Sequence, residues 1–155
     1  LENGKEDLDK YGRKLRYIFL DKEEINIILI EEGFANPYFP SGKDKYANEF
    51  HNAWGECIMK NINLCEKSKD KCAKCILLKD IDIKNQKITL YNTCSVNCDL
   101  TNWVVREEGR KKIQINNFIK SYEELIIETP EFWTKTGDSF FLRDEDGKLV
   151  LYNGY

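Results

Sequence analysis

Apolar and polar residues repeat along this chain with two different periods, and the change falls near residue 70. In residues 14–20 (KLRYIFL) Leu15, Tyr17 and Phe19 alternate, which predicts a strand closed by a turn at Asp21-Lys22. Residues 23–32 open with acids, which suit the positive end of a helix dipole, and Gly33 stands where a left-handed C-terminal cap is expected. The two prolines of residues 36–42 (NPYFPSG) predict an exposed aromatic loop. Tyr46, Phe50, Ala53, Trp54, Cys57 and Ile58 then recur at helical spacing, so residues 44–61 read as an amphipathic helix whose apolar stripe packs into a core.

A charged stretch at residues 66–71 (EKSKDK) reads as a linker, and beyond it the period becomes two. Strands are predicted at residues 76–83, 87–91, 100–106, 111–116, 123–128, 139–143 and 148–152. Seven short strands at such spacing, separated by Asn, Asp and Gly, point to an antiparallel sandwich. Asp146-Gly147, between FFLR and KLVLY, marks a hairpin. The expected class is therefore α+β, with an α/β segment in residues 1–68 and an all-β domain in residues 69–155.

Composition fits this picture and narrows the function. The 155 residues are 41% hydrophobic and 33% charged, with acids in excess by three, which describes a folding chain and not a disordered tail. Net charge by itself does not indicate nucleic acid, although local clusters of Lys and Arg decide such binding. No apolar run approaches the roughly twenty residues of a membrane span, and no signal peptide opens the chain. The first residue is Leu1, which suggests a processed product or a piece of something longer.

The segment Asp9-Lys10-Tyr11-Gly12-Arg13 carries the first candidate chemistry. Gly12 permits a tight turn, and Arg13 projects from the start of a strand, where its guanidinium can fork onto a phosphate. Lys10 adds charge and Tyr11 offers a face for stacking. An exposed turn with a surface ion pair is the plainer alternative. In order and spacing, DKYGRKLRYIFL, the following turn, EEINIILIEEGFANPYF and the charged helix resemble the second half of the staphylococcal nuclease family, over about residues 7–65. The resemblance implies part of an OB-fold, phosphodiester hydrolysis of DNA or RNA, and a calcium cofactor in the complete domain. It assigns transition-state stabilisation to Arg13 and nucleotide contacts to Lys10, Tyr11 and, more loosely, Tyr38. Glu2, Glu6 and Asp7 lie too near the motif to match the family's metal ligands. A lone arginine holds a phosphate but does not activate water, so this chain alone is expected to be inactive.

The second half resembles a lamin-tail domain, an immunoglobulin-like sandwich, through ITLYNT at residues 88–93, DLTNWVV at 99–105 and FFLRDEDGKLV at 140–150. Trp103 reads as a core anchor. His51, the single histidine, reads as an exposed polar-face residue. The resemblance implies a localising or binding role, with a protein or envelope partner, and both family likenesses imply a secreted or cell-surface protein.

Six cysteines complete the picture. Cys72-x2-Cys75 and Cys94-x3-Cys98 have the spacing of a four-thiolate zinc site, and equally of two disulfides. Cys57 is either simply buried or paired with Cys65. The leading expectation is a nuclease segment joined to a sandwich; its rivals are a non-catalytic binding module for nucleic acid, protein or envelope, and a degenerate nuclease fold that binds without cutting.

Overall fold

A computed structural model describes residues 1–9, 11–109 and 111–155. It is a mixed structure, mostly strands with two α-helices, and it divides into two compact units, Leu1–Glu66 and Lys67–Tyr155. No helix among the described residues is long and apolar enough to cross a membrane.

The first unit opens with β1 (Glu2–Leu8), which pairs antiparallel with β2 (Lys14–Tyr17) around the Asp9–Arg13 turn. The strand expected over residues 14–20 is interrupted at Ile18. There the chain bonds to the coming helix instead of to a neighbouring strand: Asn26 Oδ1 accepts from Ile18 N at 3.2 Å, and Ile25 N donates to Ile18 O at 2.8 Å. The short strands β3 (Phe19–Leu20) and β4 (Glu23–Glu24) follow as a tight hairpin, with Asp21 and Lys22 both at positive φ, 48° and 77°. This hairpin consumes the acids expected inside the helix, so α1 runs only over Ile25–Glu31. Glu24 caps it, accepting from the amides of Asn26 and Ile27.

Helix α2 (Ala47–Lys60) likewise starts later than its periodicity suggests. Asp44 is spent on long-range ties: its carboxylate accepts from Lys5 N at 2.6 Å and from the Tyr17 hydroxyl at 2.8 Å. The apolar stripe is buried as expected through Phe50, Ala53, Trp54 and Cys57. Tyr17 stands edge-on to both Tyr46 and Phe50, with ring centroids 4.6 and 5.9 Å away. The helix ends on Asn61 in the left-handed region, and a disulfide from Cys57 to Cys65 locks the following turn against its last turn.

The second unit is antiparallel throughout its paired strands. One sheet has the order β11 (Glu124–Glu128), β6 (Lys87–Asn92), β5 (Ile76–Asp82). A second has the order β13 (Leu149–Gly154), β12 (Ser139–Arg143), β8 (Trp103–Arg106), β9 (Lys112–Ile115). The two-residue strands β7 (Cys98–Asp99) and β10 (Phe118–Ile119) pair separately. Alternate residues of both sheets, including Ile88, Leu90, Trp103, Val105, Ile115, Phe140 and Leu142, meet in one apolar core. Trp103 is a core anchor, as the sequence suggests, and Leu100 lies buried beside it in the same cluster. The strand predicted from residue 100 begins only at Trp103, because the Asp99 carboxylate draws Thr101 into a turn through its amide and hydroxyl and Asn102 takes φ 65°.

Cysteine chemistry is settled in favour of one alternative. Cys72 bonds to Cys98 and Cys75 to Cys94, tying the entry of β5 to the segment that leaves β6. Sulfurs joined in disulfides offer no thiolates, so the zinc reading of Cys72, Cys75, Cys94 and Cys98 is not supported. Among the described residues no group of three or more His, Cys, Asp or Glu side chains is placed to hold a metal ion.

Candidate phosphate-binding site

The D-K-Y-G-R segment folds into a turn that its own first residue builds. Asp9 Oδ1 accepts from the amides of Tyr11 and Arg13, each at 2.9 Å, while Asp9 N donates to Arg13 O at 2.9 Å. Gly12 N closes the loop onto Asp9 O at 3.0 Å, and Gly12 sits at φ 78°, where a side chain would be strained. Among the described residues, its chain neighbours aside, no atom lies within 4 Å of the Cβ that Gly12 lacks, so its backbone angle and not space selects glycine.

Arg13 rises from this turn at the first residue before β2. Its Nε and Nη2 both reach Asp9 Oδ2, at 2.6 Å each, and its guanidinium lies 5.3 Å from the centre of the Tyr11 ring. Burial works against charge on Asp9, but the amide and guanidinium of Arg13 and the amide of Tyr11 outweigh it and hold the carboxyl below the usual aspartate range. The Arg13 side chain nevertheless keeps 63% of its surface exposed. One edge of the guanidinium is thus fixed by the aspartate, and the N–H groups of the other edge can take a phosphate oxygen or two. The plainer alternative, an exposed turn with Arg13 in a surface ion pair, is present here, and the partner is Asp9, whose Asp-x-x-Gly spacing signals such a turn.

The other candidate residues divide. Tyr11 joins Arg13 in one cluster and is 62% exposed. Lys10 lies outside the described residues. Tyr38, 53% exposed, belongs to the loop of residues 36–42, whose anchoring contacts run to β1: Ser41 Oγ donates to Glu6 at 2.6 Å and Lys5 Nζ donates to Ser41 O at 2.7 Å. Glu2 and Asp7 serve structure as well, since Glu2 pairs with Lys45 at 2.5 Å and Asp7 with Arg16 at 2.5 Å. His51 departs from the expectation of an exposed polar-face residue. It is half-buried 6.1 Å from the Phe39 ring, and burial, aided by Lys43, lowers its pKa below the ordinary histidine value.

Comparison with known proteins assigns the first unit to a class. Residues 1–67 match the family described as "Staphylococcal nuclease homologue", so this stretch is a nuclease-like domain segment. A curated relative, the "Thermonuclease" of Staphylococcus intermedius, is 39% identical over 67 residues, covering 43% of this chain and 40% of the relative. The chain therefore spans well under half the length of the relative it matches.

Proposed function

We propose that this chain belongs to a nuclease that hydrolyses phosphodiester bonds of DNA or RNA, in which Arg13 binds the reacting phosphate and stabilises the negative charge that develops on it. The observation that supports this best is the turn geometry: Asp9 fixes Arg13 along one edge and leaves the other edge of an exposed, permanently charged fork free for phosphate. Tyr11 and Lys10 would contact the nucleotide beside it, with Tyr38 as a further stacking face. In this reading calcium serves the complete nuclease domain. The described residues contain no acid cluster suited to hold that ion, and the one carboxylate shown against Arg13, that of Asp9, is taken up by Arg13 itself and by the amides of the turn. Residues 1–155 on their own would bind nucleic acid without cutting it.

For the second unit the proposed identity is a lamin-tail-like, immunoglobulin-like sandwich over about residues 69–155, with the nuclease part ending near residue 68. Support comes from two sheets sharing one core, from Leu100 and Trp103 buried together, and from the closing hairpin at Gly147. Such a unit would localise the enzyme or bind a protein or envelope partner. Three disulfides favour an oxidising, extracellular setting.

The test is cleavage of single-stranded DNA by the native full-length protein, with calcium or with chelator, beside Arg13→Ala. Calcium-dependent cleavage lost in Arg13→Ala supports the nuclease reading. Full-length protein that retains DNA binding but never cleaves would leave the non-catalytic binding module in its place.

A further inference from the structure

We propose that the free edge of β11 is a docking site for an extended peptide strand whose apolar centre is flanked by Lys or Arg. This rests on the second unit alone and on no part of the nuclease reading. Among the described residues β11 is the outermost strand of its sheet and pairs only with β6. Two hydrogen bonds fix which of its residues face that neighbour: Asn92 N donates to Glu123 O at 3.0 Å, and Thr129 N to Gln86 O at 2.8 Å. In an antiparallel ladder the residues bonded to one neighbour alternate, so residues 123, 125, 127 and 129 are spent on β6. The amides and carbonyls of Glu124, Ile126 and Glu128 therefore point outward, ready to bond a further strand. Their side chains are exposed as well, Ile126 at 61%.

Open edges are normally blunted by a bulge, a proline or a charge set within the strand. β5, at the opposite edge of the same sheet, shows these devices: its pairing is irregular between Leu78 and Asp80, and it carries Lys79, Asp80 and Asp82. β11 keeps unbroken register from Glu124 to Glu128 and has no proline and no lysine. Its charge is of one sign. Residues 121–131 (SYEELIIETPE) hold four glutamates and no basic residue. Lys79 and Lys87 each contact Glu124 and Glu128, respectively, from the sheet face through one carboxylate oxygen, Oε1, which leaves Oε2 of each for a partner.

These charges select the occupant. A second copy pairing antiparallel about Ile126 would set Glu124 against Glu128 of its twin at both ends, and like charges placed opposite across strands repel. A strand with basic residues two positions either side of an apolar one meets Glu124, Ile126 and Glu128 with complementary groups.

The experiment uses the whole chain and a fluorescent, β-prone peptide alternating threonine with lysine, valine and lysine. The expected result is saturable binding that weakens with salt and falls about tenfold or more when glutamates replace the lysines. Ile126→Pro removes an outward amide and none of the bonds to β6, so it should abolish binding while circular dichroism and melting stay unchanged. Should that variant not fold, Glu124→Lys with Glu128→Lys should reverse the peptide preference. No peptide binding, equal affinity for both peptides, or binding retained by a folded Ile126→Pro overturns the proposal. So does concentration-dependent dimerisation that Ile126→Pro abolishes, which would make the edge a self-interface.

Discussion

Asp9 and Asp144 build their turns with the same four hydrogen bonds. Each aspartate Oδ1 accepts from the amides two and four residues on, Tyr11 and Arg13 in one turn, Asp146 and Lys148 in the other. Each aspartate amide donates to the carbonyl four residues on, and each glycine amide, at Gly12 or Gly147, returns to the aspartate carbonyl. Even the glycine angles agree, at 78° and 76°. D-K-Y-G-R and D-E-D-G-K are thus one kind of hairpin closure. Asp and Gly in the nuclease-like motif follow from backbone geometry, and among its described residues Tyr11 and Arg13 present exposed side chains.

The shared turn predicts parallel responses. Gly12→Ala and Gly147→Ala should each cost about 1 kcal/mol through backbone strain alone, because a Cβ meets open space at both sites. Asp144→Ala, which strips an acceptor from two amides, should cost about 1–2 kcal/mol in urea denaturation. Asp9→Ala should speed hydrogen exchange at the amides of Tyr11 and Arg13 and lower affinity for single-stranded DNA by releasing Arg13 from its fixed orientation. Unchanged exchange at those amides would rule out the clamp.

How much of this was legible in the sequence differs by element, for physical reasons. α2, β6, β8, β9 and β11 announce themselves because each buries one face and so carries a clean period, whereas β12 is buried along its whole length and is legible as an apolar run before the Asp-Gly turn. β1 does not: Glu2–Leu8 is exposed at all but Gly4, has no apolar alternation, and is held by ties from Asp44 and Ser41 that lie far along the chain. The acids at residues 23 and 24 suit a helix start, yet Asp21 and Lys22 at positive φ turn them into a hairpin first. For the site, residue identity pointed to Arg13 and the Asp-x-x-Gly spacing to its turn, while the bond from Asp9 to the guanidinium is visible only in three dimensions. The cysteine spacing fitted zinc and disulfides alike, and the pairing depends on the fold that brings the sulfurs together.

Gly33 offers a contrast with Gly12. It adopts φ 70° after α1, and a Cβ there would come within 2.9 Å of both Cys57 Sγ and Ile62 O. Neither can retreat, since the sulfur is locked in the disulfide to Cys65 and the carbonyl is backbone. Gly33→Ala should therefore destabilise the first unit by about 2–5 kcal/mol, strain and overpacking together, well beyond Gly12→Ala. Equal urea midpoints for the two variants would show that the packing around Cys57 relaxes freely.

Asp138 gives a pH signature of known sign. Burial and the nearby Glu107 raise its pKa above the ordinary aspartate value, against the pull of amides from Ser139 and Glu108. A carboxyl with a raised folded-state pKa binds its proton more tightly when folded, so its favourable contribution is full below the unfolded pKa and is lost as pH rises through the folded one. Asp138→Asn keeps an acceptor for both amides and removes the buried charge. The variant should exceed the parent in stability at pH 7, with the difference vanishing at about pH 3. A variant less stable at pH 7 would mean that the charge itself is needed.

The disulfides should rank by the chain they close. Sequence separations are 26 for Cys72–Cys98, 19 for Cys75–Cys94 and 8 for Cys57–Cys65. Loop-closure entropy then gives roughly 3.5, 3.2 and 2.5 kcal/mol for the three, so replacing each pair by alanines should lower stability in that order. The two bonds of the second unit also join the entry of β5 to the chain beyond β6, and cutting both should loosen the packing around Ile76 and Leu100 before the hairpin at Gly147. A thiol reagent added to the denatured, unreduced protein should find no free cysteine. After reduction, zinc should fail to restore the melting transition, because covalent crosslinks and not a metal hold these segments together in the fold. Recovery of the native transition with zinc would mean that the fold accepts either chemistry and that the compartment decides between them.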